Sequence, residues 1–136
     1  MPSFGTRSRT NLNQCHPDLV VLFQVVVKHI DCSVICGHRP EKEQNQAYAE
    51  GKSKLKYPNS KHNSMPSKAC DVVPYPIDWN DIDRFKEFGF FVLGVAAALK
   101  EAGVISYDIR WGADWNKNYD VEDERFKDFP HFEIVE

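Results

Sequence analysis

The run ACDVVPY at positions 69–75 constrains the fold more than any other stretch of the chain. Its valines, closed off by Pro74 and Pro76, predict a short strand. Yet Asp71 stands inside it, between Cys70 and the pair Val72–Val73. An unpartnered carboxylate in apolar surroundings is costly, and a cation removes that cost. A strand built this way needs a partner for Asp71, brought from elsewhere in the sequence.

The rest of the chain supplies the elements around that strand. After Pro17, Leu19, Leu22, Phe23, Val26 and Ile30 recur at helical spacing, with Pro17 near the first turn. CSVICG reads as a short buried strand ending at Gly37. Pro40 opens a second helix, PEKEQNQAYAEG, stopped by Gly51. Residues 52–68 are polar and form a long loop, a type of segment that usually carries function. Beyond the strand at 69–75, Asn80 is the expected cap of a helix. Its buried stripe is Ile82, Phe85, Phe88, Val92, Val95 and Leu99, and Gly103 ends it. YDIRWG and HFEIV read as strands, separated by a second long polar loop from Ala113 to Asp128. The sum is an α+β chain, a small mostly antiparallel sheet packed against helices in a single domain. Both long loops run into polar residues at strand starts, and the site is expected there.

A length of 136 residues suits one core. The net charge of −3 and the lack of a long basic stripe argue against generic nucleic-acid binding. Phe88 to Leu99 is too short and too rich in Gly and Ala to span a bilayer. The opening MPSFGTRSRTNLNQ is polar with no apolar signal region, so no secretory signal peptide is expected. On that reading the four cysteines, Cys15, Cys32, Cys36 and Cys70, are reduced. Cys32, Cys36 and His38 share a strand face, but their spacing is not a common zinc pattern, and packing is the preferred role.

Two imidazoles and one carboxylate, His62, Asp71 and His131, suit zinc and leave a fourth position for water. Spacing alone leaves other triples open. Asp128, three residues before His131, can face the same water as general base. Glu133 lies on the same strand face as His131, either as its partner or as a surface ion pair, the second being preferred.

Taken together, SKHNSMPSKACDVVPY, IRWGADWN and DFPHFEIV resemble the VanY-type peptidoglycan zinc peptidases of phage endolysins. GHRPEKEQNQAYAEGKSK resembles the arginine-containing stretch and Gln-rich helix of that family, so the likeness covers roughly residues 15 to 135. The resemblance implies that His62, Asp71 and His131 bind Zn2+, that Asp128 is the general base, and that Arg39 stabilises the oxyanion. It implies a substrate contact for Ser60. The substrate implied is the peptidoglycan stem peptide, cut at L-alanyl-D-glutamate, with a D-alanyl-D-alanine carboxypeptidase as second choice. A non-catalytic zinc module for the cell wall is the rival of another class. Eight residues separate His62 from Asp71, a longer spacing than is frequent in the family, with Pro66 where a Gly turn is common. The resemblance also implies an enzyme held in the host cytoplasm until lysis; a monomer is expected.

Smaller features complete the reading. Trp111 is assigned to the core and Trp115 to the rim of a substrate groove, with Trp79 left between the two. Lys52, Lys54, Lys56 and Lys61 form a cationic run. Asp114, Asn116, Asn118 and Asp120 alternate as in a calcium loop, but Tyr119 replaces the required Gly and Arg125 the final Glu, so a polar turn is expected.

Overall fold

A computed structural model describes residues 2–136. Its elements run α1 (Thr6–Leu12), α2 (Pro17–Val27), β1 (Cys32–Cys36), α3 (Glu41–Ala49), a 3-10 turn (Lys61–Asn63), β2 (Ala69–Pro74), α4 (Ile82–Glu101), β3 (Asp108–Trp111) and β4 (His131–Val135). The four strands form one sheet in the order β1-β2-β4-β3, and each neighbouring pair is antiparallel. This is the α+β single domain that the sequence predicts.

Side chains alternate across a strand, so one strand can serve two environments. Cys70 and Val72 of β2, Phe132 and Ile134 of β4, and Ile109 and Trp111 of β3 join the core with Leu19, Leu22, Phe23 and Val26 of α2 and Phe88 and Val92 of α4. Asp71, His131, Glu133 and Arg110 alternate with them and so project from the other face. The register places Asp71 directly opposite His131 and Arg110 opposite Glu133. Gly89 lets α4 lie on Trp111, because a Cβ there would sit 2.1 Å from the indole.

Four details differ from expectation. The polar N-terminal stretch forms α1, which docks on β1: Ser8 Oγ accepts from Val34 N–H at 3.0 Å and Asn11 Nδ2 donates to Val34 O at 2.8 Å. Phe4 and Leu12 anchor it in the core. Helix α2 ends at Val27, although Ile30 still packs on the core. Asp81, not Asn80, caps α4 by accepting from Arg84 N–H at 3.2 Å. Ile82 is 40% exposed rather than buried, because the first turn of α4 borders a groove.

Candidate active site

The cross-strand pair Asp71–His131 meets a third residue carried by the long loop. His62 lies in the 3-10 turn, where Ser60 Oγ accepts its backbone N–H at 3.2 Å and Asn63 completes the reciprocal cap. Its Nδ1 faces the Gly37 carbonyl at 2.8 Å, which leaves Nε2 to point at the sheet. Three atoms then converge: His62 Nε2 lies 3.2 Å from Asp71 Oδ1 and 3.2 Å from His131 Nδ1, and His131 Nδ1 lies 3.5 Å from Asp71 Oδ1. Zinc bonds of about 2.0–2.2 Å at tetrahedral angles separate donor atoms by roughly 3.3–3.6 Å. The buried trio therefore fits a tetrahedral cation without rearrangement, and it is a cluster of metal-ligating type among the described residues.

Glu133 orients the second imidazole. Its Oε1 accepts from His131 Nε2 at 2.8 Å, which fixes Nδ1 as the atom free to bind a cation. The expected surface ion pair is thus corrected. Glu133 is buried at 7% exposure because its strand face is covered, and Lys61 (3.4 Å) and Arg110 (3.7 Å) balance its charge. Lys61, one of the cationic run, also donates to the Ile134 carbonyl.

The electrostatics follow from this crowding. Burial opposes a charge on His62, but the adjacent Asp71 carboxylate and the Cys36 thiol together more than offset it and raise the imidazole to about 10. Burial likewise works against the Asp71 anion, and the two histidines hold it well below the usual carboxylate range. His131 is raised against its burial by Asp71 and Glu133. Asp128 moves the other way: burial first, and then the Asp71 charge, push it up to about 6.

Asp128 is fixed at the edge of the site by backbone contacts. Its N–H donates to Gly112 O at 2.7 Å, and its carbonyl accepts from His131 N–H at 3.1 Å. Gly112 is required for this approach, since a Cβ there would lie 2.4 Å from the Asp128 carbonyl oxygen. Arg39 reaches the second Asp71 oxygen through Nη2 at 3.4 Å and donates from Nη1 to Gln44 Oε1 at 3.0 Å.

Gln44 escaped the sequence reading. It is the one buried residue of α3 and is fully enclosed. Its oxygen accepts from Arg39 and from Asn63 Nδ2, while its amide nitrogen donates to Ser53 Oγ at 2.9 Å and Leu55 O at 2.6 Å. Asn63 in turn donates to the Arg39 carbonyl, so one side chain ties the arginine, the loop and the His62 turn together. The signal was a helix with no apolar stripe, whose attachment had to be polar.

His62, Asp71, His131, Asp128, Arg39, Ser60 and Trp115 all line one groove of about 1050 Å³. Trp115 donates from its indole N–H to Phe126 O at 2.8 Å, and its ring lies 5.5 Å from that of His131. Trp111 is fully buried, as expected, and Trp79 is exposed on the groove. The Asp114–Asp120 stretch forms a polar turn: Asp114 accepts from the N–H groups of Asn118 and Tyr119 at 3.2 and 2.8 Å. Cys15, Cys32, Cys36 and Cys70 are free thiols; Cys15 and Cys32 pack in the core with Cys70, and none joins the trio.

A polar trio on one face of the two central strands, in a groove beside a raised carboxyl, defines a hydrolase-like site on an α+β scaffold. The comparisons give that class a family. The model of the phage L-alanyl-D-glutamate peptidase family matches residues 2–135. The L-alanyl-D-glutamate peptidase of Escherichia phage T5 is 33% identical over 141 residues, covering 97% of each chain. The crystal structure of the Serratia marcescens L-Ala D-Glu endopeptidase ChiX aligns with a TM-score of 0.71 at 26% identity, covering 98% of this chain and 91% of that one. The chain belongs to the phage L-alanyl-D-glutamate peptidase family.

Proposed function

We propose that this protein is a zinc peptidase that hydrolyses the L-alanyl-D-glutamate bond of the peptidoglycan stem peptide. The convergence of His62 Nε2, His131 Nδ1 and Asp71 Oδ1 carries this reading, because their spacing matches the edges of a zinc tetrahedron. The activity named for the relatives favours this bond over a terminal D-alanine. When bound, zinc polarises the scissile carbonyl and lowers the pKa of a water toward about 7.

The chain's own residues do the remainder. Asp128, raised to about 6, holds its proton weakly enough to accept one from water near neutrality and strongly enough to deliver it to the leaving amine. Arg39, braced by Gln44, directs its guanidinium at the developing oxyanion. Such a donor typically contributes about 3–4 kcal/mol to the transition state. Ser60 orients His62 through the backbone, and Trp115 walls the groove next to His131. In the chain's working life, we infer retention in the host cytoplasm until lysis, followed by action on the wall.

Purified cell wall, digested and analysed by mass spectrometry, tests the bond. New amino-terminal D-glutamate is expected; release of terminal D-alanine alone contradicts it. Asp128→Ala separates enzyme from zinc-binding module: zinc is kept and lysis lost, whereas lysis at the wild-type rate removes Asp128 from the mechanism.

A further inference from the structure

The aromatic end of the groove has no role in the chemistry above. Trp79 stacks on Phe85, with ring centroids 5.5 Å apart and planes 21° apart, yet 55% of its surface stays exposed. Ile82, in the next turn, lines the same groove. Phe85 lies 6.1 Å from Phe129, the neighbour of Asp128, so one aromatic wall runs from the groove mouth to the proposed general base. An exposed tryptophan held flat by a second ring keeps its free face available at little entropic cost.

The rest of the groove differs in charge. Lys52, Lys54 and Lys127 line it with Glu43 and Glu50; Lys52 is paired with Glu50 at 3.1 Å, while Lys54 Nζ lies 5.0 Å above the Phe126 ring that stacks on Trp115. The segment around Trp79 carries Asp78, Asp81 and Asp83, exposed just outside the groove lining. Lys54, which makes no ion pair among the described residues, is the cation offered to an anionic ligand group; a neutral, hydroxyl-bearing ring suits the tryptophan with its neighbouring carboxylates.

The stem peptide has that same asymmetry. Its scissile carbonyl belongs to L-alanine, whose amino group is joined through a lactyl ether to an N-acetylated pyranose. The other side of the bond begins with D-glutamate and its free carboxylate. At about 3.3–3.6 Å per residue, the sugar sits on the order of 10 Å from the reacting carbon, comparable with the two ring-to-ring steps of 5.5 and 6.1 Å from Trp79 through Phe85 to Phe129. We propose that Trp79 and Ile82 form a subsite for the sugar ring that carries the stem peptide, with the D-glutamyl carboxylate directed toward Lys54. This rests on the stem-peptide reading and adds to it an orientation and a specificity residue.

The test compares kcat/KM on two soluble substrates, an N-acetylmuramyl peptide and the same peptide without its sugar. Wild type is expected to prefer the muramyl form. Trp79→Ala is expected to lower that preference roughly tenfold, about what one aromatic contact contributes, and Trp79→Phe to retain most of it. An unchanged ratio in Trp79→Ala, with circular dichroism and zinc content like wild type, overturns the subsite. Failure of wild type to cleave either substrate is a different result and strikes the stem-peptide reading itself.

Discussion

The two faces of β2 and β4 differ in kind although their residues alternate along the same strands. On one face, Cys70, Val72, Phe132 and Ile134 pack against α2 and α4. On the other, Asp71, His131 and Glu133 meet His62, Arg39 and Lys61. The apolar face is held by burial, which is non-directional and responds to lost volume. The polar face is held by partners, and each buried charge depends on another residue at a defined distance. A one-residue step along the chain thus crosses from the part that stabilises the fold to the part proposed to act.

That contrast can be broken at neighbouring positions. His131→Ala is expected to reduce cell-wall hydrolysis to background and to abolish zinc binding. Phe132→Ala, one residue on, is expected to cost about 3–5 kcal/mol of stability by denaturant titration while its folded fraction keeps zinc. If Phe132→Ala lost the metal at unchanged stability, the two faces would not be separable. A smaller effect is expected at Asp128→Ala, with kcat down about 10²- to 10⁴-fold and zinc stoichiometry intact. Smaller again is Glu133→Gln, which removes the anion behind His131 and is expected to weaken zinc binding about 10- to 100-fold in chelator competition.

The pH response sharpens the comparison further. Asp128 is raised, so its basic form is present above about 6 and is lost as pH falls through that value. The rate profile is expected to show an acid limb at or below about 6, and Asp128→Ala to lose that limb. For His62 the sign is opposite: its raised value means that the His62–Asp71 pair stabilises the fold fully below the ordinary histidine pKa and loses that contribution as pH rises through about 10. A cation must displace that proton, so zinc affinity is expected to rise with pH.

Much of this was legible in the sequence because strand alternation and metal chemistry both leave local marks. Asp71 within valines and His131 at a strand start announced a polar face. What was not legible depends on contacts made only in three dimensions. Gln44 reads as one of several glutamines until its loop partners are known. Glu133 reads as a surface residue until β3 and the His62 turn cover it. Helix α1 has too few apolar residues to show a stripe, and its docking rests on Ser8, Asn11 and the missing side chain of Gly37, where a Cβ would lie 2.2 Å from Asn11 O. Ile82 keeps the helical period, but the groove lies beside its turn.

Elemental analysis of the purified protein, paired with a lysis assay before and after chelation, bears most directly on the proposed centre. The account predicts one zinc per chain, loss of lysis when it is stripped, and recovery of both on adding zinc back. Full lysis by protein that holds no divalent metal would contradict it.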